Sequence, residues 1–317
     1  MKKIGINFFI FLFIFSIIFY LLPNIIDKHR DAKNWDYIYN TSYKIDVLFM
    51  GSSLIFTSLD PHIIDPMINK NTFNLGSSSQ FIIQTYYNLI EVLKYRKIKL
   101  VVLDVNSIIT NREDQKIGFI YNNLSGMKFS QNKINSFLNS IDNNNNNNNS
   151  VVLEISKMSY YKQFEYIVSL IIKEKFNWKN RIKSIQEIIN NNKEIQDTKG
   201  FFERESIIEL NDFYDATNSD IEYKKISIEN LHYLEDFINL CKKHDIDIIF
   251  LETPTLINRE IDNQLDYYIE KYNIKYYDFN NNYNLDFKRE DFSDKTHLSR
   301  NGARKFSLIF ADILNDF

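Results

Sequence analysis

The chain has 317 residues, 44% of them hydrophobic and 15% aromatic, enough to bury a large core and to exclude wholesale disorder. Its net charge of -3, with lysines interspersed among Asp and Glu, leaves no basic stripe for a nucleic-acid partner. The single cysteine, Cys241, excludes an internal disulfide framework and any cysteine-rich zinc site.

Residues 1–23 stand apart. After Lys2 and Lys3, the run from Ile4 to Leu22 is almost wholly Ile, Phe and Leu, interrupted by Gly5, Asn7 and Ser16 and ended by Pro23. That is long enough to span a bilayer, and no small-residue cleavage site follows, so the segment reads as an uncleaved signal-anchor helix. Lys2 and Lys3 face Lys28, Arg30 and Lys33 across the span, nearly a tie on the positive-inside rule, and the expected orientation places the body outside. Residues 24–44, polar with Trp35, Tyr37 and Tyr39 interspersed, read as a juxtamembrane connector whose aromatics rest either near the headgroups or in the core.

From Ile45 to Phe317 short apolar runs alternate with helical periods, the pattern of an α/β domain. Strands are expected at Asp46–Met50, Thr72–Leu75, Ile98–Val105, Ile246–Glu252 and Ile274–Phe279, nearly continuous in apolar residues as central parallel strands are. Helices are expected at Ser79–Tyr95, at Ile228–His244 behind a Ser227 cap, and from about Ser299 to the end. Short crossovers of this kind imply a three-layer α/β/α, doubly wound parallel sheet. Between about 108 and 225 the regularity is lost, and this stretch reads as an insertion or cap. It holds the unbroken Asn143–Asn149 tract, read as a flexible loop, and Tyr160–Phe176, which fits an amphipathic helix against the sheet flank.

Only seven glycines occur, and Gly51 and Gly76 each follow an expected strand while Gly302 lies just beyond His297. In Asp46-Val-Leu-Phe-Met-Gly-Ser-Ser-Leu54 a strand runs into a turn bearing two hydroxyls, at the carboxyl end where sites of open sheets lie. A serine nucleophile needs a base, and the base needs an orienting acceptor. Of five histidines, His29 falls in the connector, His62 follows Pro61, and His232 and His244 lie in the helical Ile228–His244 segment. His297 differs: it sits in a polar turn before the terminal helix, with Asp294 three residues earlier. A metal-dependent reading on Asp291, Asp294 and His297 lacks a second histidine at ligand spacing.

Gly51-Ser52-Ser53-Leu54, Gly76 after the second strand and Asp294-Lys-Thr-His297 before the last helix resemble the first, second and last blocks of SGNH (GDSL-like) hydrolases. With Leu59-Asp60-Pro61 and the anchor, they resemble the DltD-like and alginate-acetylation-like branches that act at the bacterial envelope. The resemblance covers about 45–105 and 245–317. It implies a flavodoxin-like sheet, with Ser53 as nucleophile, His297 as base and Asp294 as its orienting acid. The Ser53 and Gly76 backbone N–H groups and the Asn106 side chain would form the oxyanion hole. Ser52 and the second Gly76-Ser77-Ser78 stand as alternatives for the nucleophile, and no glycine precedes Asn106. Asp104 and Asp278, at strand ends, fit either a supporting role or helix caps. What the resemblance implies further is ester hydrolysis or O-acyl transfer on a cell-envelope polysaccharide or polymer, without cofactor or metal, alongside a multispanning membrane O-acyltransferase. The other class it admits is a catalytically inactive module of the same fold that binds or assembles the modification complex.

Overall fold

The computed structural model describes residues 30–111, 117–141, 198–206, 208–217, 220–281, 283 and 286–317. The expected anchor, the Asn tract and Tyr160–Phe176 lie outside these residues. Among the described residues no helix is long and apolar enough to cross a membrane.

In chain order the elements are α1 (Arg30–Asn40), β1 (Val47–Met50), α2 (Ser53–Ser58), α3 (Pro61–Ile68), β2 (Thr72–Asn74), α4 (Ile82–Leu93), β3 (Leu100–Asp104), α5 (Asn106–Ile109), α6 (Ile117–Leu124) and α7 (Gln131–Ser140). Then follow α8 (Leu210–Thr217), β4 (Glu222–Lys224), α9 (Ile228–Lys243), β5 (Asp247–Glu252), β6 (Arg259–Ile261), α10 (Gln264–Tyr272), β7 (Lys275–Asp278), a 3-10 turn (Arg289–Asp291) and α11 (Arg300–Leu314).

Five strands form one parallel sheet in the order β2-β1-β3-β5-β7, and β4 pairs with β6 in a separate two-stranded parallel sheet. The chain steps from β1 to one side and then back across it to β3, so the carboxyl ends of β1 and β3 flank a crevice where the winding reverses. The apolar runs are continuous because both faces of the sheet are covered. Leu48, Met50, Val101, Leu103 and Phe250 face one core, shared with α1, α4 and α9. Val47, Phe49, Val102, Ile249 and Leu251 face the other, shared with α3 and α11. This period of two on doubly buried strands makes the three layers.

Of the two roles expected for the aromatics of the connector, core packing is the one they take. Arg30–Asn40 is helical, and its Trp35 and Ile38 are 1% and 0% exposed within the core. Tyr37 stacks on Phe73 with ring centroids 4.6 Å apart. The helix packs through Ala32, Trp35 and Ile38 on a face where Asp31 and Asn34 are also buried, so polar residues mask the pattern when read linearly. The Arg30 guanidinium is drawn inside as well, donating to the carbonyls of Gly76 (2.8 Å) and Gly200 (2.9 Å) and to Asp31 (2.6 Å), over the Phe56 ring. The small β4–β6 sheet was not expected; its strands are three residues each, too short to carry a periodic signal.

If α1 is integral to the domain, Trp35→Ala should cost about 3–5 kcal/mol, as truncation of a buried aromatic does. The check is the urea midpoint of the full chain. A change below about 0.5 kcal/mol, the scale of surface substitutions, would mean that α1 is an appendage.

Candidate active site

Gly51 ends β1 at φ 136°, a conformation that disfavours any other residue, and a Cβ there would stand 2.5 Å from the Cβ of Asp104. This close approach lets Ser52 turn directly onto the end of β3. The Ser52 N–H donates to Asp104 Oδ2 at 3.0 Å, and its hydroxyl donates to the same oxygen. That hydroxyl also accepts from the Leu54 N–H at 3.2 Å, capping α2. Ser52 is thus 1% exposed and fully engaged. Ser53, one residue on, begins α2 and is only partly buried. Its N–H lies outside the intrahelical ladder, as the first N–H groups of a helix do.

The Ser53 hydroxyl lies 2.8 Å from His297 Nε2. The other ring nitrogen, Nδ1, is 2.8 and 2.9 Å from the two oxygens of Asp294. A neutral imidazole that donates from Nδ1 to the carboxylate leaves Nε2 to accept the serine proton. The loop that holds His297 is closed on itself: Phe292 and Leu298 form an antiparallel bridge, and the Ser293 N–H donates to the His297 carbonyl at 2.8 Å. Asp294 Oδ1 also accepts the N–H groups of Thr296 and His297, each at 2.9 Å. The loop is pressed against α11, where a Cβ at Gly302 would meet the Asp291 carbonyl oxygen at 2.0 Å. Glycine is therefore required there by space.

Burial alone would raise the Asp294 carboxyl. The hydrogen bond and charge of His297, together with the Thr296 donors, outweigh it and hold the group well below the usual carboxylate range. Asp294 Oδ2 also faces Arg204 Nη2 at 2.9 Å, with the two side chains 38% and 27% exposed. Arg204 arrives on residues 198–206, which run along the edge of β2 and past α2. The Lys199 carbonyl accepts from Asn74 N–H at 2.9 Å, Phe202 N–H donates to the Phe56 carbonyl at 2.9 Å, and the Arg204 carbonyl accepts from Arg300 N–H at 2.7 Å.

The other expected residues are placed as follows. Asn106 donates its side-chain amide to Ser52 Oγ at 3.1 Å, beside the nucleophile's turn. The Gly76 N–H, expected to face an oxyanion, donates instead to Asn74 Oδ1 at 3.2 Å. Asn74 is fully buried below it and turns this donor inward. Of the alternative serines, Ser77 is buried against the Asn123 side chain, Ser52 is spent on Asp104, and Ser78 is half-buried with no histidine partner among the described residues. Asp104 is the supporting residue and not merely a cap: burial pushes its carboxyl up, while the Ser52 N–H, the Ser52 hydroxyl and the Asn106 N–H pull it back. Asp278 accepts the N–H groups of Asn280 and Asn281, closing its own turn. Asp291 faces Lys305 at 2.6 Å and not His297. His62, His232 and His244 are exposed, and His29 lies outside the described residues. Arg204 had no sequence signal, since it lies in the stretch without regular pattern.

Comparisons with protein-family models, with curated proteins and with solved structures return no match.

A carboxyl held below its unfolded value of about 3.9 stabilises the fold above that pH and loses the effect as pH falls through the depressed value. Asp294→Asn should therefore flatten the dependence of melting temperature on pH below about pH 4. An unchanged slope in acid thermal scans would show that the Asp294 contacts contribute nothing to stability.

Proposed function

We propose that the protein is a membrane-anchored SGNH-type serine esterase or O-acyltransferase acting on acyl groups of a cell-envelope polysaccharide or polymer. The observation that carries this reading is the continuous chain of contacts from Ser53 Oγ through His297 to Asp294. It joins residues 244 positions apart, and Ser53 is the serine of the two Gly-Ser-Ser turns that faces a base. The sheet order supports a flavodoxin-like fold of the SGNH kind, with the site at the carboxyl ends of β1 and β3.

In this mechanism His297 Nε2 takes the Ser53 proton as Oγ bonds to the ester carbonyl carbon. Asp294 holds the resulting imidazolium. The Ser53 N–H and the Asn106 amide supply hydrogen bonds to the oxyanion. The carbon–oxygen bond to the leaving alcohol then breaks and His297 returns the proton to that oxygen, leaving an acyl-serine. Water resolves it to an acid, or a sugar hydroxyl takes the acyl group, by the same steps in reverse. A cavity of about 580 Å³ lined by Glu252, Arg259, Tyr276 and Asp278 lies next to Asn106 through Arg259. Its wall mixes these polar groups with Ile221, Ile261 and Leu265, so it fits an acceptor that carries both hydroxyls and apolar surface.

The N-terminal apolar run supports attachment to the bacterial cell membrane by a single span. An extracytoplasmic body is the orientation that fits the resemblance to the envelope-acting branches. A multispanning membrane O-acyltransferase as donor partner fits the same setting.

Full-length protein should hydrolyse a chromogenic acetyl ester and take up a fluorophosphonate probe. Ser53→Ala should lower turnover by at least about 10³-fold and abolish labelling, whereas Ser77→Ala should leave both intact. Labelling that persists without Ser53 would refute the nucleophile. A wild-type chain that neither turns over ester nor reacts with the probe would favour an inactive binding module.

A further inference from the structure

Arg259 lies on β6, between the short motifs that carry the resemblance, and its guanidinium reaches the site. Its side chain is 7% exposed, and Nε donates to Glu252 Oε2 at 3.1 Å. Nη1 donates to Asn106 Oδ1 at 3.0 Å. Glu252, at the end of β5, takes the Tyr276 hydroxyl on its other oxygen, so the buried cation faces a buried, hydrogen-bonded carboxylate.

The chemistry of Arg259 decides how the Asn106 amide points. A guanidinium has donors and no acceptor, so the group facing it must be the amide oxygen. The amide nitrogen must then face the opposite way, where it donates to Ser52 Oγ at 3.1 Å. Ser52 Oγ is the oxygen adjoining the nucleophile's own residue, and the NH2 group keeps a second hydrogen beyond that bond. The backbone of Asn106 is pinned as well, its N–H donating to Asp104 Oδ1 at 3.0 Å. Without Arg259 one of the two contacts that fix the amide is lost, and only the Ser52 Oγ acceptor opposes a rotation that would offer Oδ1 to the developing oxyanion, which repels it.

We infer that Arg259 is a positioning residue that locks the Asn106 amide with its N–H groups toward the Ser53 turn. The inference rests on Ser53 as the nucleophile and adds the device that makes Asn106 an oxyanion donor in a chain where no glycine precedes it. Glu252 and Tyr276 complete the device by holding the guanidinium in place.

The test is a double-mutant cycle on the full-length protein with the chromogenic acetyl ester, read as kcat and KM separately. Asn106→Ala and Arg259→Met should each lower kcat by roughly 10²-fold, the scale of one lost oxyanion donor, with KM changed by less than about threefold. The double variant should be no slower than Asn106→Ala alone, since Arg259 acts through that side chain. If Arg259→Met strands Glu252 and does not fold, Arg259→Met with Glu252→Gln removes both charges of the pair and carries the same expectation. Losses that multiply in the double variant, or a change confined to KM, would overturn the role of Arg259. Wild-type inactivity, or turnover surviving Ser53→Ala, would instead overturn the nucleophile itself, and with it this inference.

Discussion

The site depends on the contact between Gly51-Ser52 and Asp104. β1 and β3 are neighbours in the sheet, and at their carboxyl ends the two chains come close enough that only glycine fits at 51. The Asp104 carboxylate then accepts from both the N–H and the hydroxyl of Ser52 and from the N–H of Asn106. One buried acid thus fixes the start of both crevice loops. Ser53 and Asn106 inherit their positions from it, and the α2 cap is part of the same arrangement. Satisfied networks of this kind rigidify a site because leaving any member unpaired in a low dielectric is costly.

Two carboxylates at the site are pushed in opposite directions by their surroundings. Asp104, wholly enclosed, has its carboxyl raised by burial despite three donors. Asp294, more open and beside His297, is held ionised. The first is an enclosed acceptor that organises the crevice loops, the second an anion beside an imidazole. The Arg204 contact sets a cation against Asp294 Oδ2. Exposed as it is, that pair contributes little to stability, and its effect falls on how the carboxylate is aimed.

Much of this was legible in the sequence. The five central strands were expected within one or two residues of their observed ends, most clearly β1 and β3, which are buried on both faces and nearly all apolar. Asp294 and His297 were recognisable because a polar turn interrupts two apolar elements at that point. Choosing between Ser52 and Ser53 needed coordinates: the two differ only in which way each hydroxyl turns. α1 was missed because its buried face is split among Trp35, Ile38 and polar residues such as Asp31 and Asn34 that are themselves enclosed. Arg204 and Arg259 were invisible for a different cause. Each acts through a long side chain launched from a segment far along the chain, and a solitary arginine carries no periodicity.

The docking of α1 onto the core has a geometric consequence. Between Pro23 and Arg30 only residues 24–29 intervene, and six residues extend at most about 20 Å. A domain attached by an apolar N-terminal span through so short a leash stays within about that distance of the bilayer surface. If the apolar run spans a membrane as proposed, the crevice is held within that reach plus the width of the domain, so chain ends emerging from the membrane are accessible and distant polymer is not. The leash, as much as the pocket, would then act as a selectivity filter, choosing acceptors by their height above the lipid.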